Sequence, residues 1–260
     1  MNYSTLLVER SPDGVAVLTI NRPDKLNALN AQVMKEIDHA VEDLIVDQSV
    51  RAVIVTGAGE KAFVAGADIA ELSKLDDETG HALATNGQAV FMRIARSPKP
   101  FVAVVEGYAL GGGCELALAC HLRVAGGNAV FGLPEVTLGL IPGYGGTQRL
   151  PHLVGQGRAM EMILTGNPVK AEQAHTMGLV NRLVEAGKGM DEALTLVSTI
   201  LKRAPLAVAA AIKAILAAHE SPEQGYETEA DLFANLCATD DFREGTRAFL
   251  AKEKPVFKGV

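Results

Sequence analysis

Two kinds of hydrophobic pattern divide the chain. Through the first two-thirds, short apolar or β-branched runs punctuated by Gly and Pro alternate with segments of helical period. Beyond Leu150 the helical period dominates. Thr5–Val8 and Val15–Ile20 flank Ser11-Pro-Asp-Gly14, which predicts a hairpin. Asn30 is placed to cap a helix reaching about Asp47, with Val33, Ile37, Val41, Leu44 and Ile45 on one face. Ala52–Thr56 reads as a strand stopped by Gly57 and Gly59, and a helix is expected from about Thr79 to Arg96, ended by Pro98 and Pro100. Phe101–Val105 is an unbroken apolar run, which predicts a sheet covered on both faces. Gly111–Gly113 leads into a helical stretch, Cys114–Cys120. A strand pair, Leu122–Ala125 and Ala129–Phe131, precedes a Gly- and Pro-rich loop, Gly132–Gly146. After a short run at Leu179–Val184, helices are expected at Asp191–Arg203, Leu206–His219, Pro222–Leu236 and Asp240–Lys252. The pattern is that of an α/β core with a C-terminal helical layer, with no low-complexity linker and no repeat visible by residue identity.

Composition narrows the class of function. The 260 residues are 48% hydrophobic and 21% charged, ordinary for a globular chain. No run of eighteen apolar residues predicts a membrane span. A net charge of −7 argues against nucleic acid as a partner, because phosphate binding needs a basic face. Three cysteines (Cys114, Cys120, Cys237) without framework spacing fit a reduced, cytoplasmic setting. The opening MNYSTLLVER has neither a basic n-region nor an apolar h-region, so no signal or transit peptide is expected.

Several motifs invite a chemical reading. Gly57-x-Gly59-x-x-Ala62 follows a strand as a dinucleotide fingerprint would, but the acidic partners at the right distance, Asp76 and Asp77, lie in a polar stretch; a plain glycine turn fits better. Cys114 and His121 are seven apart, a spacing that would put them on one face if the helix ran that far, but no further ligands accompany them, so no metal site is expected. Cys114 enters a helix from a Gly-rich turn, which leaves a nucleophilic thiol as an alternative to a small buried residue. The strongest feature is Gly107-Tyr-Ala-Leu-Gly-Gly-Gly-Cys-Glu115-Leu, where a strand runs into three glycines and a helix. The helix start offers unpaired N–H groups suited to a developing negative charge. Ala62-Phe-Val-Ala-Gly-Ala-Asp-Ile69 supplies a second such turn, with Asp68 also readable as a helix cap. Glu135 sits in an apolar, Gly-rich stretch that continues through Gly139-Leu-Ile-Pro-Gly-Tyr-Gly-Gly-Thr-Gln-Arg149. Two N–H-rich turns and two glutamates make an oxyanion hole plus paired carboxylates.

These segments resemble the enoyl-CoA hydratase (crotonase) family over nearly the whole chain, from Asn21-Arg-Pro-Asp-Lys-Leu-Asn-Ala-Leu29 to Ala238-Thr-Asp-Asp-Phe-Arg-Glu-Gly245. The most specific matches are Ala65-Gly-Ala-Asp-Ile69, Gly111-Gly-Gly-Cys-Glu115, Pro134-Glu135 and Ile141-Pro-Gly-Tyr-Gly-Gly-Thr-Gln-Arg-Leu150. The resemblance implies a crotonase-like spiral of repeated ββα units carrying the acyl-CoA site over residues 1–200. It implies a helical trimerisation region over 201–260, with homotrimers or hexamers built as dimers of trimers. The substrate would be an acyl-CoA thioester, coenzyme A being part of the substrate, with no metal or redox cofactor. By the family pattern the N–H groups of Ala67 and Gly112 form the oxyanion hole. Glu115 and Glu135 match the two catalytic glutamates of hydratases, and Gly143 matches a backbone position beside the catalytic water. CoA would be held by the Lys25–Ala28 loop, by the backbone from Ala65 through Asp68 to Ile69, and by the lysines of the tail, Lys258 among them, reaching from a neighbouring subunit. Ala70 departs from the lysine that many hydratases carry near the CoA phosphates, and Tyr144 stands where many relatives have alanine and would narrow the acyl pocket. Both glutamates together favour hydration of 2-trans-enoyl-CoA to 3-hydroxyacyl-CoA. The alternatives are an isomerase of the same family or, in a different class, an RNA-binding or scaffolding homologue.

Overall fold

The computed structural model describes residues 3–218 and 222–260; Met1, Asn2 and the expected helix end at His219 lie outside the described residues. The hairpin forms from β1 (Leu6–Arg10) and β2 (Val15–Ile20), paired antiparallel. Next comes α1 (Ala31–Val46), whose cap Asn30 accepts a hydrogen bond from the Val33 N–H at 2.9 Å, as expected. Val33, Ile37, Val41 and Leu44 are buried on the anticipated face, and Ile45 packs half-buried against the core. Glu36, on the same helix, is also buried. Its carboxylate accepts from the N–H and hydroxyl groups of both Ser4 and Thr5 and from the Gln32 amide. This set of bonds fastens α1 to the start of β1.

Three similar turns of chain follow. The first is β3 (Ala52–Gly57), β4 (Ala62–Val64), α2 (Ile69–Leu72) and α3 (Asp77–Ala95). The second is β5 (Phe101–Val105), β6 (Tyr108–Leu110) and α4 (Gly112–Ala119). The third is β7 (Leu122–Gly126), β8 (Val130–Gly132), α5 (Gly146–Val154) and α6 (Gln156–Thr165). A closing segment adds β9 (Val169–Lys170), α7 (Ala171–Thr176) and β10 (Arg182–Val184). The first strand of each turn enters a six-stranded sheet, β1-β2-β3-β5-β7-β10, parallel except at β1. The second strand enters a four-stranded sheet, β4-β6-β8-β9, parallel except at β9. This is the expected spiral of ββα units.

One expectation is corrected. Leu122–Ala125 and Ala129–Phe131 do form strands, but they do not pair with each other. β7 lies between β5 and β10, and β8 between β6 and β9. Each finds a parallel partner laid down by the previous turn, and the tight link in which the Ala129 N–H donates to the Gly126 carbonyl sends the chain from one sheet to the other. The Gly57-x-Gly59-x-x-Ala62 stretch likewise leads into β4 rather than a helix, so it lacks the architecture of a dinucleotide site.

The continuous apolar runs are explained by burial on both faces. Val53, Val55, Phe101, Ala103 and Val105 belong to the core shared with α1, α3 and α4. Their neighbours Ala52, Ile54, Val102 and Val104 pack with Ala193 and Val197 of α8 (Gly189–Leu201). Beyond it come α9 (Pro205–Ala217), α10 (Pro222–Cys237) and α11 (Asp240–Ala251), each within two residues of its expected start. Although α9 is almost wholly apolar, none of its residues is buried within the chain. The tail folds back on α11, where the buried Asp241 carboxylate accepts from the Lys258 and Gly259 N–H groups at 2.7 and 2.9 Å. Among the described residues no helix is long and apolar enough to cross a membrane.

Candidate active site

The site forms where successive turns of the spiral bring their strand-to-helix connections together. All eight residues of α4 are buried, so its surroundings leave little room for added bulk. A Cβ on Gly113 would lie 2.0 Å from the Val64 carbonyl oxygen, so only glycine lets α4 approach β4 this closely. That approach places Glu115, 1% exposed, in the first turn of a buried helix. Glu135 begins a short 3-10 turn after β8, and its Oε1 would lie 2.9 Å from a Cβ on Gly111.

Both carboxylates face one cavity of about 400 Å³. Its walls include Ala65–Ala67 and Ile69 from the β4–α2 turn, Gly111 and Gly112 from the start of α4, and Gly143 and Tyr144 from the loop before α5. Leucines 72, 75, 83, 138 and 140 make the remainder predominantly apolar. The five expected catalytic positions, Ala67, Gly112, Glu115, Glu135 and Gly143, therefore line a single cavity. Among the described residues the N–H groups of Ala67 and Gly112 donate to no protein acceptor, although the neighbouring Asp68 N–H bonds the Leu29 carbonyl. Gly112 is the first residue of α4, where an N–H has no partner inside the helix.

The two carboxylates have different surroundings. One oxygen of Glu115, Oε1, accepts from the Tyr144 N–H at 2.8 Å and the Gly146 N–H at 2.7 Å. Burial pushes this carboxyl up to about 7, and the charge of Glu135 adds to the rise. The Gly146 and Tyr144 N–H groups and the Arg149 guanidinium pull it back. Burial also raises the Glu135 carboxyl, whose Oε2 is buried with no partner. Tyr144 is itself buried, its ring 5.5 Å from that of Phe91 and edge-on to it. The ring occupies the space beside Gly87 and Gly112, where a Cβ on Gly87 would come within 2.1 Å of it. The anchoring N–H groups of Tyr144 and Gly146 were not anticipated from the sequence, nor was the Gln88 amide that donates to the Gly143 carbonyl at 3.0 Å. The only sequence signal for them is the glycine density of Gly143-Tyr-Gly-Gly146.

The expected CoA-binding positions divide. Ala65 and Ile69 line the cavity, whereas Lys25, Ala28, Asp68 and Lys258 do not. The Lys25–Ala28 loop nevertheless lies against the Ala65–Ile69 turn. The Ala65 N–H donates to the Leu26 carbonyl at 3.0 Å, and the Leu29 N–H to the Gly66 carbonyl at 2.8 Å. Asn27 fixes that loop by accepting from the Arg22 N–H and donating to the carbonyls of Ala58 and Ala62. Asp68 caps α2 through the Ala70 N–H and pairs with Arg22 at 3.4 Å. Lys258 sits at α11, its backbone held by Asp241.

Cys114 is fully buried. Burial, together with the charges of Glu115 and Glu135, drives its thiol far above the ordinary range. It lacks the electropositive, accessible setting of a nucleophilic thiol and is a small packing residue. His121 bridges the end of α3 to the start of β5. Its Nδ1 accepts from the Phe101 N–H at 2.9 Å and its Nε2 lies 3.1 Å from the Ala95 carbonyl, while burial pushes its pKa down to about 4. Among the described residues no group of three or more His, Cys, Asp or Glu side chains is placed to hold a metal ion.

Fold and site together thus define an α/β spiral with a carboxylate pair beside two free backbone donors. The family model described as "Enoyl-CoA hydratase/isomerase" matches residues 10–260. The short-chain-enoyl-CoA hydratase of Clostridium acetobutylicum is 42% identical over 255 residues, covering 98% of this chain and 97% of that protein. The crotonyl-CoA hydratase of Syntrophomonas wolfei is 42% identical over 258 residues, covering 99% of each. The crystal structure of an enoyl-CoA hydratase from Bacillus anthracis superposes with a TM-score of 0.94 at 35% identity, covering 99% of this chain and 100% of that one. The chain belongs to the enoyl-CoA hydratase/isomerase family.

Proposed function

We propose that this cavity adds water reversibly across the 2,3 double bond of a 2-trans-enoyl-CoA, with Glu115 and Glu135 as the acid–base pair. The family match and the near-full-length relatives support enoyl-CoA hydratase activity. The observation that carries the assignment of residues is the convergence of two buried glutamates and two acceptor-free N–H groups on one apolar cavity.

The thioester carbonyl oxygen binds between the N–H groups of Ala67 and Gly112. Glu115, held by Tyr144 and Gly146, orients water and accepts its proton as the oxygen bonds to C3. Negative charge collects on the carbonyl oxygen as an enolate, where each N–H donor contributes about 3–4 kcal/mol to the transition state. Glu135 delivers its proton to C2, and dehydration runs the same steps backward. Proton transfer of this kind is worth about 10² to 10⁴ in rate. No step calls on a metal or a redox cofactor.

The CoA portion is assigned to the adjoining Lys25–Ala28 and Ala65–Ile69 segments, with Lys258 contributing from a neighbouring subunit. The Tyr144 ring beside Gly112 favours short acyl chains by occupying cavity space. Residues 201–260 are assigned to trimer assembly, further paired as a hexamer. Support comes from the apolar surface of α9 and from Phe249 and Leu250, each 83% exposed in the single chain. The free thiol of exposed Cys237 favours a reducing, cytoplasmic setting.

Replacing Glu115 or Glu135 by Gln tests the residue roles. Either variant is expected to lose at least about a hundredfold in kcat for hydration while keeping the oligomer and the melting curve of the parent. Near-parental kcat in both would remove the glutamates from the mechanism.

A further inference from the structure

We propose that Arg149 is a positioning residue for the hydration chemistry: its guanidinium braces the Tyr144–Gly146 turn so that two backbone N–H groups converge on one oxygen of Glu115, and its charge serves as counter-ion to that buried carboxylate. The geometry is specific. Arg149 Nη1 donates to the Tyr144 carbonyl at 2.8 Å, and the Arg149 N–H donates to the Gly145 carbonyl at 2.9 Å. The guanidinium packs against Gly145 with Nη1 foremost, where an added Cβ would come within 2.4 Å of that nitrogen. The side chain thus holds the Tyr144–Gly145 peptide unit, while the backbone N–H of the same residue makes the first i→i−4 bond of α5 to the next carbonyl, a bond that does not depend on the side chain. The N–H groups flanking that peptide unit, those of Tyr144 and Gly146, are the two that hold Glu115 Oε1.

Arg149 forms no ion pair with any carboxylate of the described residues at salt-bridge distance. A half-buried guanidinium without a contacting carboxylate keeps its charge at a cost, and the anion that acts on it most is Glu115. The charged and titratable groups around Glu115 are few. Cys114 adjoins it on α4, Glu135 faces it from the turn after β8, Tyr144 carries a phenol from the loop, and Arg149 approaches from α5. Arg123 is buried at the far end of α4, where it donates to the Ala117 and Cys120 carbonyls. Arg149 is therefore the cation of this group that acts at the Glu115 end.

The turn-bracing and charge claims stand on the free protein, while the kinetic consequence rests on the hydratase reading. The test compares R149Q and R149K. Gln keeps a donor for the Tyr144 carbonyl and loses the charge; Lys keeps the charge. The direct readout is the ¹³C resonance of the Glu115 carboxyl, assigned by its disappearance in E115Q and followed with pH in the free protein. R149Q is expected to raise the titration midpoint by about one unit, and R149K to restore most of it. The kinetic readout is kcat/KM for crotonyl-CoA. At pH 7 R149Q is expected to lose about fivefold, with KM within twofold and the loss shrinking toward pH 9. An unchanged Glu115 midpoint in R149Q overturns the proposal whether or not the protein hydrates crotonyl-CoA. A shifted midpoint in a protein inactive on every enoyl-CoA would instead keep the proposal and remove the hydratase reading. Should R149Q fail to fold, the parent protein answers the same question. The Arg149 Nη and the Tyr144 and Gly146 amide resonances must all move with the midpoint of Glu115, and independent movement overturns the proposal.

Discussion

Glu115 and Glu135 are both inclined by burial toward their protonated forms, but they are dressed for different tasks. Glu115 accepts two backbone N–H bonds on one oxygen, which support its ionised form; Glu135 has a buried oxygen with no donor, which favours keeping its proton. That contrast matches a base that takes the proton of water and an acid that gives one to carbon. The pH dependence follows. With the Glu115 carboxyl pushed up to about 7, hydration is expected to slow as pH falls through that region, because the base becomes protonated. It is expected to slow again on the alkaline side, where Glu135 surrenders its proton. The two limbs belong to the coupled pair rather than to single residues. A kcat/KM profile on crotonyl-CoA that stays flat from pH 5 to 9 would contradict this division of roles. Both glutamates were legible in the sequence, because each is a carboxylate inside an apolar, Gly-rich stretch. The donors that orient Glu115 were not, since backbone N–H groups carry no side-chain signature and their direction is set by a turn that packs only in three dimensions.

At the scale of single elements, α1 shows where periodicity succeeds and where it is silent. The apolar spacing and the Asn30 cap located the helix and its buried face to within a residue. Residue type alone would assign Glu36 to solvent, but its position three after Val33 and four before Ala40 flanks the buried face, and it is buried under five donors from Ser4, Thr5 and Gln32. Burial alone would raise this carboxyl, but the hydrogen bonds outweigh it and lower the pKa from 4.5 to about 2. A group whose pKa falls on folding adds stability above its unfolded value and loses it as pH drops through its folded value. The contribution of Glu36 is therefore complete above about pH 4.5 and gone near pH 2. E36Q is expected to lower stability by about 1–3 kcal/mol at pH 7, with parent and variant converging in urea titrations toward pH 2. An equal difference at both pH values would show that packing, not the charged hydrogen bonds, dominates there. The two-residue strand β9 escapes periodicity for a different reason: it exists because β8, laid down just before it, offers an edge. The same edge supply separates β7 from β8, which the local pattern alone would place side by side.

In the whole molecule, the spiral explains how distant segments make one cavity. Each ββα turn ends in a connection at the same side of the four-stranded sheet, so Ala67, Gly112 and Glu135 from successive turns meet although 68 positions separate the first from the last. The exposed apolar faces of the C-terminal helices carry the assembly prediction. Light scattering is expected to give a mass of three or six times 27.4 kDa. The double variant F249D/L250D is expected to shift the population toward monomer, and a parent that is monomeric at micromolar concentration would refute assembly through this face. The chemistry itself is tested most directly by the ultraviolet absorbance of the conjugated enoyl thioester. With crotonyl-CoA, the parent protein is expected to remove that absorbance rapidly and to yield 3-hydroxybutyryl-CoA, while E115Q and E135Q leave it nearly unchanged. Absorbance that persists with the folded parent, on crotonyl-CoA and on longer 2-enoyl-CoAs alike, would contradict the hydratase account.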